Sequence, residues 1–103
     1  MSGQDTEQAD EAFQIALPGV LDIPAAANLK EIVLENVKPG MAVTIQSDEV
    51  VQVTTPGIQA LMAVAGHLER QKVELTMAKP SDVLIDSFSD LGLFSQLMSW
   101  NVE

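Results

Sequence analysis

The chain lacks cysteine altogether and has little of what catalysis normally uses. Without cysteine it can form neither a disulfide nor a thiolate metal site. It has a single histidine, His67, no glycine-rich phosphate loop, and carboxylates that do not fall at zinc or calcium spacings. Nothing in the sequence sets His67 beside a hydroxyl and a carboxylate, as a catalytic triad requires. We therefore expect no enzymatic activity, no cofactor and no metal, and we interpret His67 as an ordinary packed or surface residue.

Basic residues are also scarce, since five Lys and Arg stand against fifteen Asp and Glu for a formal net charge of −10. Clustered Lys and Arg are needed to neutralise phosphates, so this balance argues against nucleic acid and against an anionic membrane surface. No apolar run approaches the roughly 20 residues that span a bilayer. The acidic start of the chain is the opposite of a secretory leader. We expect a cytoplasmic protein whose partner is another protein.

Hydrophobic residues are plentiful by contrast, at 47% of the 103 residues. A chain of this length and composition forms one domain with a single core. Residues 1–12 are acidic and poor in large apolar side chains, which predicts a flexible tail. The domain is therefore predicted to occupy residues 13–103.

Hydrophobic periodicity predicts alternating strands and helices along this domain. Apolar and polar residues alternate over Phe13–Leu17, Met41–Gln46 and Val73–Met77, and Val50–Val53 is rich in β-branched residues. Helical spacing follows over Ala25–Val37, after Pro56, after Ser81, and briefly over residues 93–100. Three local signals mark helix ends: Asp22 and Ser81 as N-caps, and Gly92 as a left-handed residue after a helix.

The strands are not apolar enough to be buried on both faces. Their second faces are small or polar: Gln14 and Ala16; Ala42, Thr44 and Gln46; Glu74 and Thr76. Strands that alternate with helices indicate βαβ units and parallel strand pairs. We therefore predict an α/β fold whose helices pack mainly on one face of the sheet and leave the other face at least partly wet.

A tight corner between a strand and a helix, at residues 50–61, organises the rest of the prediction. Pro56 suits the first helical position, and it disfavours helical backbone in the residue before it. Thr55 is then the expected N-cap, with Thr54 ending the strand. The alternative is a recognition or phosphorylation site, because a phosphate here would lie next to free N–H groups at a helix N-terminus.

Three motifs in order resemble those of a STAS domain, the fold of bacterial anti-sigma factor antagonists. Residues 17–22, Leu-Pro-Gly-Val-Leu-Asp, resemble the family's early Leu-x-Gly-x-Leu-Asp element. Residues 53–61, Val-Thr-Thr-Pro-Gly-Ile-Gln-Ala-Leu, resemble its Ile-Asp-Ser-Ser-Gly-Leu-x-x-Leu signature. Pro80-Ser81 and Leu91-Gly92-Leu93 match the usual end pattern. The residues Thr-Pro-Gly-Ile-Gln-Ala-Leu and the closing Leu-Gly-Leu are also similar to those of short STAS proteins found with bacterial chemotaxis systems. The resemblance implies a mixed β-sheet with helices chiefly on one side.

The resemblance also implies a switch that this sequence cannot operate unchanged. A typical member binds a kinase of the histidine-kinase-like ATPase fold, and that kinase phosphorylates the second serine of Asp-Ser-Ser-Gly. Pro56 stands at this position, Thr54 replaces the preceding aspartate, and Gln46 stands where the family has another acid. Thr55 aligns with the first serine, and with the threonine of Asp-Thr-Ala-Gly variants in the lipid-transport branch. We expect it to be a contact residue rather than a phosphoacceptor.

Two hypotheses for the function follow. The first is a non-enzymatic regulatory module that binds a signalling kinase, of the anti-sigma-factor or chemotaxis type, through Thr54–Gly57 and the helix that follows. Ile58, Gln59 and Met62 are candidate contacts there, although Ile58 and Met62 also suit the core. The second is a structural accessory subunit of a larger assembly such as a lipid-transport ATPase. The apolar C-terminal segment around Trp100 is expected in the core; if exposed, it would indicate a homodimer or a docking face.

Overall fold

Two parallel ladders of strands form the framework of residues 13–103, which are the residues that the computed structural model describes. The predicted tail, residues 1–12, lies outside them. The first ladder has the order β1-β3-β5, and the second pairs β2 with β4. The strands are β1 Phe13–Ala16, β2 Val20–Leu21, β3 Ala42–Gln46, β4 Gln52–Val53 and β5 Glu74–Ala78. All of these pairs are parallel, so the described residues contain no antiparallel pair of the mixed sheet that the resemblance implied.

The register of the three-stranded sheet places the apolar residues of neighbouring strands side by side. Ile15 pairs with Ile45, which pairs with Met77, and all three are buried. The alternate positions form a face that is at least partly open to solvent: Gln14, Ala16, Ala42, Thr44, Gln46, Glu74 and Thr76. On that face the Gln46 amide nitrogen donates to the Gln14 side-chain oxygen at 2.8 Å. The predicted α/β fold with one covered and one wet face is confirmed.

Four helices complete the described fold: α1 Ile23–Asn36, α2 Thr55–Arg70, α3 Asp82–Asp90 and α4 Phe94–Met98. Both predicted N-caps of α1 and α3 are confirmed. Asp22 accepts from the Ala25 N–H at 3.0 Å, and Ser81 accepts from the Leu84 N–H at 3.2 Å. Gly92 follows α3 with φ +74°, the left-handed conformation predicted for it.

The core lies between the covered face of the sheet and the helices. Its largest fully buried side chains include Phe88, Leu21, Leu29, Ile45, Ile58, Leu61, Leu68, Met77, Leu84 and Leu97. Trp100 is also buried and meets Phe88 edge to face, with ring centroids 5.6 Å apart. Phe94 and Met98 remain exposed. The C-terminal segment is therefore split, with its tryptophan in the core as expected and part of α4 on the surface.

The boundaries differ from the prediction mainly where strands are short. The strand β2 was not predicted, because two residues between Pro18-Gly19 and Asp22 are too few to show a period. Val50 and Val51 were expected in β4 but precede it, with Val50 buried and Val51 exposed. The other strand and helix ends move by at most two residues. Among the helices of residues 13–103, none combines the length and the apolarity that a membrane crossing needs.

Candidate functional site

Thr54 joins the end of β4 to the start of α2 and is held by three contacts. Its backbone N–H donates to the Leu21 carbonyl at 3.0 Å, which continues the β2–β4 ladder. Its Oγ1 accepts from the Gly57 N–H at 3.0 Å and lies 3.4 Å from the Leu21 oxygen. The backbone is extended, with φ −105° and ψ 152°. The Thr54 hydroxyl is therefore an N-cap and is already engaged inside the protein.

The predicted N-cap, Thr55, is wrong by one residue. Thr55 is the first residue of α2, and Pro56 follows it at the second helical position. The prediction gave most weight to the disfavoured helical backbone of a residue before proline. The ladder bond from Thr54 to Leu21 decides instead, because it fixes Thr54 as the last extended residue and the helix must begin after it. Proline is tolerated at this second position because N–H groups of the first turn have no partner within the helix.

Gly57 brings the start of α2 against the end of β2 and the cap of α1. A Cβ atom added to it would lie 2.7 Å from the Asp22 Cα and 2.8 Å from the Leu21 carbonyl carbon, and closer still to the Leu21 oxygen. All three neighbours are backbone atoms, so they have no side-chain freedom with which to yield. The glycine of the signature is therefore required by the close packing of two helix starts.

The six predicted site residues divide between the surface and the core. Thr55, Pro56 and Gln59 are exposed, and we call these three residues the corner surface. Thr54 is partly buried, Gly57 is buried, and Ile58 is only 1% exposed and belongs to the core. Met62 is partly buried and packs against the core. The structure thus leaves three side chains of the predicted site for contact with another molecule.

The start of α2 offers fewer hydrogen-bond donors to a phosphate than the sequence predicted. Pro56 has no N–H, and the Gly57 N–H is bound by Thr54 Oγ1. Of the first three residues of the helix, at most Thr55 therefore has an N–H for an added anion. The expectation of several free donors here is wrong, because the cap and the proline remove two of them.

A shallow cleft of about 130 Å³ separates the corner from the end of α3. Thr54 and Thr55 line one side, and Ser87, Asp90 and Leu91 line the other. Leu91 is 42% exposed, and Asp90 brings a negative charge to the side facing Thr55. Small-molecule sites usually have about 300–1,000 Å³, so this cleft suits the surface relief of a protein contact better than a substrate.

Two other residues singled out in the sequence lie away from the corner. The Gln46 amide is bonded to Gln14 on the open face of the sheet. His67 lies further along α2, roughly 18 Å from Thr55 along the helix axis at 1.5 Å per residue. In the part of the chain that the structure describes, no three His, Asp or Glu side chains group as metal ligands would.

Sequence reasoning missed the residues that face the corner from other elements. Leu21 supplies the backbone against which Thr54 and Gly57 are fixed, and Asp90 and Leu91 form the far wall of the cleft. The sequence singled out Asp22 as a helix cap and Leu91 as part of the end pattern, but it did not connect either residue with Thr55. These residues are far from Thr55 in the sequence, so no local pattern could connect them with it. Only the β2–β4 ladder and the packing of α3 bring them close to Thr55 in the folded chain.

Comparison with known families agrees with this architecture. A family model described as "Mlab, STAS domain" matches residues 5–98, which is most of the chain. No curated protein matches the sequence significantly. STAS domains are in general non-catalytic and regulatory or antagonist-like in role, while the narrower likeness to chemotaxis proteins stays a prediction. The parallel sheet, the helices on one face and the family match together show that this chain belongs to the STAS domain family.

Proposed function

We propose that this chain is a non-enzymatic regulatory protein that binds a signalling kinase of the histidine-kinase-like ATPase fold. The contact is made by the corner surface together with Asp90 and Leu91 across the cleft. In this proposal the chain performs no chemistry of its own. It acts by occupying a surface of the kinase.

The main support for the proposal is that some residues of the corner hold its backbone from inside while others are exposed to solvent. Thr54, Gly57 and Ile58 fix the backbone from inside, while Thr55, Pro56 and Gln59 are exposed at the same turn. A rigid backbone with outward side chains suits recognition, since little conformational entropy is lost when the partner binds. The neighbouring exposed Leu91 provides apolar area beside these polar contacts.

In this proposal, binding is not controlled by phosphorylation at the family's usual position. Pro56 has no hydroxyl, and the Thr54 hydroxyl is occupied as a cap. A phosphate on Thr55 would find few N–H donors and would share a cleft with Asp90, whose carboxylate would repel it. We therefore assign Thr55 a contact role and expect the intact mass of the native protein to show no phosphate.

The test is a binding measurement with the kinase that co-purifies with the native protein. Thr55→Glu and Gln59→Arg are each expected to weaken binding about tenfold or more, because each places a charge or a large side chain in the interface. Ser95→Glu adds the same charge as Thr55→Glu on the exposed surface of α4 and is the matched control. If both corner variants bind as tightly as the wild type, the corner is not the interface.

The second candidate is a structural accessory subunit of a larger assembly, such as a lipid-transport ATPase. The missing phosphoacceptor at Pro56 and the capped Thr54 favour it, because a permanent subunit needs no switch. The two candidates differ in their response to nucleotide and in their stoichiometry. An accessory subunit would co-purify in a fixed ratio and ATP would not release it, whereas binding to a kinase would change with the nucleotide state of the kinase.

A further inference from the structure

A second surface with its own chemistry lies between α1 and α2. It is an open groove of about 390 Å³, which we call the interhelix groove, and its exposed or partly exposed walls are formed by Ile23, Ala27 and Lys30 from α1 and by Ala60, Ala63 and Arg70 from α2. Val33 and Val64, both buried, lie at its base, and His67 is part of the α2 wall. The three residues of the corner surface are not among its lining.

The shape of the groove suits a helix. The starts of α1 and α2 lie side by side at Asp22 and Gly57, and both helices follow parallel strands, so the two helices run in the same general direction. The lining extends from Ile23 to Val33 on one helix and from Ala60 to Arg70 on the other, which is about 15 Å at 1.5 Å per residue. Alanines along both walls keep the groove shallow and allow the backbone of a third helix to approach closely.

The charge of the groove is opposite to that of the protein. Lys30 and Arg70 line it, and Asp and Glu are absent from its lining within residues 13–103. The whole chain has fifteen acids and five bases, so two of the five bases fall in this one groove. The Arg70 Nη1 lies 3.5 Å from the position of a Cβ on Gly66, which places the guanidinium back along α2 rather than beyond its end.

We propose that the interhelix groove binds an amphipathic helix of a partner protein that carries Asp or Glu beside its apolar stripe. Apolar side chains spaced i, i+3, i+4 and i+7 would cover Ile23, which is 56% exposed, and the alanine walls. The acidic residues would meet Lys30 and Arg70. This inference is independent of the corner surface and of the function proposed for it.

Charge complementarity selects this occupant over the alternatives. An anionic membrane and a second copy of the chain both extend well beyond the groove, so each would meet the net charge of −10 as a whole, and long-range repulsion opposes the encounter. A helix of about ten residues matches the length of the groove. Its acidic residues need to match only the local cations.

The test uses two synthetic peptides of about fourteen residues, stapled as helices, with the same leucine stripe and with either Glu or Lys at the flanking positions. Binding to the full chain is measured by fluorescence anisotropy and mapped by ¹⁵N NMR shifts. The Glu peptide is expected to bind about tenfold or more tightly than the Lys peptide, with shifts concentrated on α1 and α2. Equal affinities, or shifts on another surface, would overturn the proposal.

Charge reversal supplies the matched control. Lys30→Glu with Arg70→Glu is expected to reverse the preference between the peptides. Lys38→Glu with Lys72→Glu makes the same change in net charge at exposed sites outside the groove and should leave the preference unchanged. A steric variant tests the shape of the groove. Ala63→Gln, which fills the groove without altering charge, should weaken the binding of the Glu peptide, whereas Thr55→Glu at the corner should leave that binding unchanged. Three outcomes would contradict the assignment. The first is an equal loss of affinity for the Glu peptide in the two double charge-reversal variants. The others are displacement of the peptide by anionic phospholipid vesicles, and a dimer whose interface is the groove.

Discussion

The carbonyl group of Leu21 occupies the space that a side chain on residue 57 would need. Its carbon would lie 2.8 Å from a Cβ on that residue, and the Asp22 Cα would lie 2.7 Å from it. The same carbonyl oxygen accepts the Thr54 N–H at 3.0 Å. One peptide group therefore fixes both the strand end and the helix start of the candidate site, and this makes the corner sensitive to a single added methyl group.

Replacing Gly57 by alanine is expected to destabilise the fold by about 3 kcal/mol, at the upper end of the cost of overpacking, because the obstructing atoms are backbone. The free energy of unfolding is measured by urea denaturation followed by circular dichroism. Gly66→Ala in the same helix is the control. Its new Cβ would meet only Arg70 Nη1, at 3.5 Å, and removing a helical glycine should stabilise by about 0.5–1 kcal/mol. Equal effects at the two glycines would contradict the close approach described for Gly57.

The two threonines of the corner are expected to differ in how much stability is lost when the hydroxyl is removed. Thr54→Val keeps the shape of the side chain but removes the acceptor for the Gly57 N–H, which should cost about 1–2 kcal/mol. Thr55→Val changes an exposed side chain and should stay within about 0.5 kcal/mol. Thermal unfolding of both variants compares them directly. A larger loss at Thr55 would restore the original assignment of the N-cap.

Ser47 is the polar residue that is fully buried in the described part of the chain. Its hydroxyl donates to the Ala78 carbonyl at 3.2 Å, and its own N–H reaches the same oxygen at 3.0 Å. Because Ala78 would keep its backbone partner, Ser47→Ala should cost only about 1 kcal/mol. Ser47→Val should cost about 1–3 kcal/mol more by overpacking. Chemical denaturation checks both, with the exposed Ser99→Ala as a control expected within about 0.5 kcal/mol.

Trp100 should be the more costly of the two C-terminal aromatic residues to remove. Its ring is buried against Phe88, so Trp100→Ala is expected to destabilise by about 3–5 kcal/mol. Phe94→Ala removes a side chain that is 44% exposed and should cost less than about 1 kcal/mol. Circular dichroism follows unfolding in both, since the first variant has no tryptophan left. If the two variants lost similar amounts of stability, Phe94 would have to lie in the core, contrary to the structure.

Features set by neighbouring residues could be predicted from the sequence. Asp22 and Ser81 each cap a helix with a side chain three residues from its donor, and Gly92 adopts the left-handed conformation that ends a helix. The wet face of the sheet could also be predicted, because strand alternation is itself a record of which side is buried. In each case the deciding interaction lies within a few residues along the chain.

Features that depend on residues far apart in the sequence could not be predicted from it. The choice between Thr54 and Thr55 as the N-cap depended on a ladder bond to Leu21, thirty-three residues away. The far wall of the corner cleft comes from α3, and the interhelix groove joins Lys30 to Arg70 across two helices. A pattern along one segment carries no information about which other segment will pack against it, so these contacts emerge only from the folded chain.

The contact between Gly57 and the Leu21–Asp22 backbone also limits how α1 and α2 can move. Because α1 and α2 are held together at their first turns, they can separate only by rotating about that contact. The opening is then smallest near Ile23 and grows toward Val33 and Arg70. Any widening of the space between these helices would therefore separate Val33 from Arg70 more than it separates Ile23 from Ala60, while the corner itself stays still.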